Sequence, residues 1–368
     1  MIVIEGCNGE WAQKCYLPFL LGEASKGNLE LQAVDIEPQI RPIARNATLW
    51  ESARSKGQAL YLDKKTDKAS YEKLTNASHV FIVAPPRYHC DVAGFWLERL
   101  LPDGKIFIEK PLDVSVGAGF RLCKIIDEKQ NKEAVFAFDH YIAKAYPFLQ
   151  HKNVYLGEIG GVEKILFHFL ESKKIPRKRV DTLDEGMIID LFSHVLALVC
   201  ATLGVNTTCS ASESRAVSIK NVRAARYAGC RISGDTFAHI EFTVNSNIEV
   251  SSTVGMCVGN RQDKFMKLSG PNGKIHLDLV KEQFSVLNLQ EEHRKKGRLN
   301  AEHVKSFLEG ILQGNKPLSV PGVLSFDNAF GILEVLDKAR AQIDMMPEYQ
   351  CGESVGQILE RFLKNDPS

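Results

Sequence analysis

Ile106-Phe107-Ile108-Glu109-Lys110-Pro111-Leu112 reads as an apolar strand that stops on a charged pair and a proline. A strand ending this way delivers a lysine to its C-terminal end, which is where open parallel α/β sheets bind ligands. Pro111 adds a further option, because an X-Pro bond can be cis and would then fix the lysine's direction. Strands and helices alternate on both sides of this stretch. Met1 to Ile4, Leu29 to Val34, Ala59 to Leu62, His79 to Val83 and Ala134 to Phe138 have strand patterns. Glu10 to Leu21, Asp91 to Leu101 and Gly117 to Lys129 have helical ones. That rhythm predicts a doubly wound parallel sheet over residues 1–145.

The first strand meets Gly6-Cys7-Asn8-Gly9 before its helix, the order in which an α/β fold presents backbone N–H groups to a pyrophosphate. The fingerprint lacks its middle glycine, replaced by Asn8. Asp35 closes the second strand where an acidic residue would take a ribose 2′-hydroxyl, which favours NAD over NADP. Arg41 and Arg45 follow it and are placed to receive a 2′-phosphate, so the preference is a lean.

Composition narrows the partners. The 368 residues include 46 basic and 45 acidic ones, and a net charge of +1 gives no electrostatic case for nucleic acid or a membrane surface. Nine cysteines, scattered and without a Cys-x-x-Cys pair, fit reduced thiols rather than disulfides or a metal site. With no signal or spanning segment in view, the expectation is a cytoplasmic protein acting on a small molecule.

Beyond Tyr146 the rhythm changes. Met187 to Leu203 is apolar almost all round, as in a buried helix, yet holds Asp190 and His194 four residues apart on one face. Alternating segments follow at Val217 to Ala224, Gly229 to Ile232, Thr236 to Val244, Ile248 to Val254, Lys264 to Ser269, Gly273 to Leu279 and Gln283 to Leu287. With Val162 to Leu170 before them, they predict an open, largely antiparallel sheet. The helix would cover one face and a second subunit the other, giving a homodimer or homotetramer. Lys173, Lys174, Arg177, Lys178 and Arg179 form a basic run read either as a solvated loop or as a holder of an anionic substrate. Glu302 to Leu312, Phe326 to Ile343 and Val355 to Leu363 read as late helices, the first two returning the chain to the first domain.

Taken together, Val80 to Pro86 with His89, then Ile108 to Leu112, then Asp190-Leu191-Phe192-Ser193-His194 resemble the Gfo/Idh/MocA oxidoreductases in order and spacing. Leu268 to Gly273 is similar to a late strand-turn-strand of the same family. Locally, Gly6 to Ala12, Phe138 to Lys144 and Asp184 to His194 are similar to segments of glucose-6-phosphate dehydrogenases. The chain is shorter than that second family, and its Asp190-to-His194 spacing is one residue tighter.

The resemblance implies a Rossmann domain, residues 1–145, and a C-terminal α+β domain, residues 146–368, for substrate binding and oligomerisation. It implies an NAD(P)-dependent oxidoreductase that moves a hydride between nicotinamide and a sugar or sugar phosphate. Gly6, Asn8, Gly9, Glu10 and Trp11 would hold the cofactor together with Asp35, Ala84, Pro85, His89 and Glu109. Lys110 and His194 would handle protons, Asp190 would hold substrate or histidine, and Asp139 would orient His194. His140, Tyr141, Lys144 and Glu171 would meet the substrate, His140 and Lys144 at a phosphate and Glu171 at a sugar hydroxyl. A cyclitol or amino-sugar dehydrogenase is the alternative within enzymes. A non-catalytic dinucleotide-sensing regulator or scaffold of the same fold is the alternative outside them.

Overall fold

The structure is a computed structural model that describes residues 1–172, 185–207, 216–229, 234–290 and 293–364. The chain divides into two compact units, one of residues 1–143 and 302–330, the other of residues 144–301 and 331–368.

The first unit is built on β1 (Ile2–Glu5), β2 (Leu31–Asp35), β3 (Ala59–Asp63), β4 (Ala77–Ile82), β5 (Leu100–Glu109) and β6 (Val135–Phe138). These six are parallel in the order β6-β5-β4-β1-β2-β3. Four residues of β1 and four of β6 are buried without alternation, as expected of strands covered on both faces. The order reverses between β1 and β4, and the crevice outside that switch point is the ligand position of such sheets. The glycine turn leaves β1 there, and Ala84 follows β4 at the same edge. Phe307, from the late helix His303–Leu312, stacks on Phe138 at 3.8 Å and meets Phe81 and Phe107 edge-on, so a distant segment completes this core.

The second unit holds β7 (Lys164–Leu170), β8 (Val217–Ala225), β9 (Phe237–Val244), β10 (Ile248–Gly255), β11 (Asp263–Gly270), β12 (Gly273–Asp278), β13 (Gln283–Asn288) and β14 (His293–Arg298). The three-residue β15 (Val323–Ser325) instead joins β6 of the first unit antiparallel, and β16 (Ile343–Met345) closes the second sheet beside β8. Its order is β14-β13-β12-β11-β7-β10-β9-β8-β16, antiparallel except at β7–β10 and β8–β16. One face is covered by the apolar helix Ser193–Leu203, where Phe192 meets Phe242 edge-on at 5.5 Å. Leu166, His168, His239, Glu241 and Lys267 alternate onto the other face.

Two sequence expectations change, and one strand is added. The helix expected to run to Leu101 stops at Leu97, because Leu100 already pairs with Ala77 as the start of β5. Arg99 secures the corner by donating to the Phe95 carbonyl at 2.9 Å and lying over its ring. Gly229, expected to open a strand, sits in a turn with φ +80°, and residues 230–233 lie outside the described ones. The basic run from Lys173 to Arg179 also lies outside them. β14 was not anticipated, since His293-Arg294-Lys295-Lys296-Gly297-Arg298 has no apolar alternation to signal it. A lysine-rich strand at a sheet edge is a common device against edge-to-edge pairing. Among the described residues no helix is long and apolar enough to cross a membrane.

Candidate functional site

Gly6 stands at φ +81°, and a Cβ there would lie 2.6 Å from the Cα and N of Ala84. Only glycine lets the turn after β1 press against the end of β4. Within the turn, Gly6 and Cys7 donate to the Val34 carbonyl, Gly9 to Gly6, and Asn8 to Asp35 Oδ2 at 2.9 Å. Helix begins at Glu10, widens to a π-helical stretch at Ala12–Tyr16 and continues as Leu17–Lys26. The main-chain N–H groups of Trp11 and Ala12 have no acceptor among the described residues. Two open N–H groups on the first turn of a long helix, at the switch point, fit a pyrophosphate.

Asn8, in place of the middle glycine, turns its side chain outward. It accepts from the Arg41 amide at 2.8 Å and donates to the Gln39 carbonyl at 3.1 Å, tethering the loop after β2. Asp35 is buried and accepts from Asn8 and Ile36, one bond per oxygen, which leaves each oxygen a lone pair for a ribose hydroxyl. Arg41 pairs with Glu37 at 2.9 Å. Arg45 donates to the Lys14 carbonyl, the acceptor that Pro18, lacking an N–H, cannot serve in an α-helix.

His89 is buried. Its Nδ1 lies 2.8 Å from the Pro111 carbonyl oxygen and its Nε2 2.6 Å from that of Ala84. The ring therefore spans the ends of β4 and β5, behind Pro85 and Lys110. The Lys110–Pro111 bond is cis. Lys110 continues the ladder by donating its amide to the Phe138 carbonyl at 3.1 Å.

Glu109 points the other way, into a buried cluster. Tyr16 donates its hydroxyl to Glu109 Oε2 at 2.5 Å, and His140 Nδ1 lies 3.3 Å from Oε1. Burial raises the Glu109 carboxyl to about 7, against the opposing pull of the Tyr16 hydroxyl and Lys110. Trp11 packs on His140 with ring centroids 4.6 Å apart. Asp139 is fully buried, with a raised pKa caused by burial, and accepts the amides of Tyr141 at 2.8 Å and Ile142 at 3.1 Å. It thus caps the helix His140–Leu149, while the charge of Lys110 acts on it in the direction of ionisation.

In the second unit, Asp190 lies in a π-helical stretch, Ile188–Phe192, and His194 in the α-helical turn that follows. Asp190 is partly exposed, whereas His194 is 3% exposed and stacks on Phe169 at 5.7 Å. Glu171, at the end of β7, is 1% exposed and paired with Lys264 at 2.9 Å, and the Lys264 ammonium also lies over the Phe169 ring. Lys144 donates to Glu282 at 2.9 Å and faces the Leu279 carbonyl at 3.4 Å, so a substrate phosphate there would compete with Glu282. Tyr141 is buried beside His140.

Tyr16, Lys264 and Asp235 were not singled out in the sequence. Tyr16 sits mid-helix, Lys264 begins an alternating strand, and Asp235 precedes one, so none carries a local signal of its role. Among the described residues no group of three His, Cys, Asp or Glu side chains is arranged to hold a metal ion.

No family model matches the chain, and no curated protein matches it in sequence. Solved structures do match its fold. The 3-ketoreductase KijD10 from Actinomadura kijaniata, in complex with NADP and TDP-benzene, superposes with a TM-score of 0.67 at 14% identity. That match covers 94% of this chain and 98% of the other. The UDP-N-acetylglucosamine 3-dehydrogenase GnnA from Acidithiobacillus ferrooxidans gives 0.65 at 16% identity, over 93% of this chain and 97% of that one. The architecture is therefore that of a Rossmann-like parallel domain joined to a domain with a mostly antiparallel sheet.

Glu109 should leave a measurable mark on stability. With its pKa near 7 in the folded chain and an ordinary value of 4.5, the folded state binds more protons than the unfolded one in between. Stability should therefore fall as pH rises from 4.5 to 7 and level off above, by about 3 kcal/mol from this group. Urea unfolding at several pH values should show that slope flattened in Glu109→Gln, and an unchanged slope would contradict the assignment.

Proposed function

We propose that this chain is an NAD(P)-dependent oxidoreductase that acts on a hydroxyl or keto group of a sugar. The observation that carries the reading is the β1 turn at the sheet's switch point, where Gly6 closes on Ala84 and the amides of Trp11 and Ala12 lack acceptors among the described residues. Those two N–H groups would hold the pyrophosphate, Asp35 a ribose hydroxyl, and the nicotinamide when bound would exchange the hydride.

The chain's own residues supply the proton chemistry. His194 takes the hydroxyl proton at a ring nitrogen in oxidation and returns it in reduction, a task suited to an imidazole whose ordinary pKa is about 6.5. The Lys110 ammonium binds the reacting oxygen and stabilises charge developing on it. Asp190 holds substrate or histidine.

NAD is favoured over NADP. Arg45 is committed to the Lys14 carbonyl and Arg41 is balanced by Glu37, so both arginines that follow β2 already have partners. KijD10 was solved with NADP, which makes this a point of divergence from that neighbour. For the substrate, an amino sugar or nucleotide-linked sugar is favoured over a simple sugar phosphate. His140 is engaged by Glu109 and Lys144 by Glu282, and the two named neighbours are a 3-ketoreductase held with a TDP ligand and a UDP-sugar dehydrogenase.

Fluorescence titration should give a Kd for NADH at least ~10-fold below that for NADPH, since the 2′-phosphate would meet the Asp35 carboxylate. Turnover on nucleotide-linked and free sugars should then fall by roughly 10²–10⁴ in Lys110→Ala and His194→Asn, with NADH affinity retained. Turnover within a few-fold of wild type in either variant sinks the assignment. Dinucleotide binding without turnover on any sugar would favour the sensor reading instead.

A further inference from the structure

The helix carrying Asp190 and His194 begins at Gly186-Met187. Met187, at the cap position, makes no side-chain hydrogen bond, and Gly186 before it has no side chain. A carboxylate from elsewhere in the same unit fills the gap. Asp235 Oδ2 accepts the Met187 amide at 3.0 Å and the Ile188 amide at 3.2 Å, and the Asp235 carbonyl accepts from Met187 as well.

Gly186 is fitted to this arrangement. It stands at φ +82°, and a Cβ on it would come within 2.3 Å of Asp235 Oδ1, so any side chain there would displace the carboxylate. Asp235 itself is held from behind. The Thr236 amide donates to the Ala225 carbonyl at 3.0 Å, and the Thr236 carbonyl accepts from Met256 at 2.8 Å and from the Tyr349 hydroxyl at 3.2 Å. The first turn then passes the constraint on, because the Asp190 amide donates to the Gly186 carbonyl at 3.2 Å.

We infer that Asp235 is a positioning residue for the proposed reaction: by holding the Met187 and Ile188 amides it fixes the start of the helix and hence the direction of Asp190 and His194. The inference rests on the assignment of His194 as the proton-transfer base. Charge decides how well Asp235 does this, since a carboxylate caps a helix start better than a neutral acid. The groups facing it are the two amides, its own backbone N–H and Arg340 of the helix Phe326–Ala341, all favouring the anion, while burial raises its pKa to about 6. The charged cap is therefore present above about pH 6 and is lost as pH falls through that value. Stability moves the other way. A carboxyl raised above its ordinary 3.8 makes the folded chain the better proton binder between 3.8 and 6, so acid does not unfold the protein through this group.

Asp235→Asn keeps an acceptor and removes the charge. At about pH 8, kcat should be roughly 10-fold lower than wild type with NADH affinity unchanged, and the wild-type-to-variant ratio should close toward one below about pH 6. A ratio of one throughout, or one that does not change with pH, overturns the inference. Wild-type hydrogen exchange provides a readout without a variant: protection of the Met187 and Ile188 amides, corrected for intrinsic rate, should fall as pH drops through 6, and constant protection overturns the inference too. His194→Asn run in parallel separates the two ideas. If it keeps wild-type turnover, the base assignment fails and this inference with it. If it loses turnover while the Asp235→Asn ratio stays flat, this inference alone fails.

Discussion

One imidazole holds the ligand edge of the first unit together. His89 sits between the carbonyl oxygens of Ala84 and Pro111, at 2.6 and 2.8 Å, and so ties the end of β4 to the turn after β5. Burial lowers its pKa, while the two carbonyls, Asp113 and Glu109 pull the other way. Ala84 is in turn the backbone against which Gly6 closes. The glycine turn and Lys110 are thereby referred to the same side chain, which donates to both carbonyls as the imidazolium and to one of them when neutral. Leaving a buried polar group unsatisfied costs about 1–3 kcal/mol, enough to hold this arrangement rigidly.

Buried carboxylates repeat the theme at other element ends. Glu5, fully buried at the end of β1, accepts from Trp96 at 2.8 Å and Tyr71 at 2.7 Å and pairs with Lys64 at 3.0 Å. Glu109 gathers Tyr16 and His140, Asp139 caps one helix, and Asp235 caps another. A buried carboxylate without partners would cost several kcal/mol, so each marks a point where sequence-distant segments are locked. The two π-helical stretches, Ala12–Tyr16 and Ile188–Phe192, fall in the segments that carry the open amides and Asp190. Such insertions are frequent at functional sites, because they re-aim side chains that a regular helix would misdirect.

The first unit was legible in the sequence because parallel strands buried on both faces announce themselves as apolar runs, and β1, β4 and β6 lie close to where those runs were read. The second sheet was legible through alternation, apart from polar β14 and the three-residue β16, and the three-residue β15 of the first sheet was hidden in the same way, these strands being too short or too charged to carry a pattern. Individual side chains were less legible. His89 has the same local sequence whether it faces a ligand or two carbonyls, and the destination depends on a loop 22 residues away. Asp139 illustrates a second limit, since its capping bonds follow from where the helix starts, and sequence fixes a helix start only to within a few residues. Asp235 shows a third, being joined to the helix it caps by folding alone.

The central claim is that the turn after β1 cradles a dinucleotide at the switch point, beside Lys110. A crystal structure of the protein with NADH tests it most directly. The account predicts pyrophosphate oxygens at hydrogen-bond distance, about 2.7–3.2 Å, from the Trp11 and Ala12 amides, with the nicotinamide running toward Lys110. A dinucleotide bound elsewhere, or none bound at saturating NADH, would contradict it.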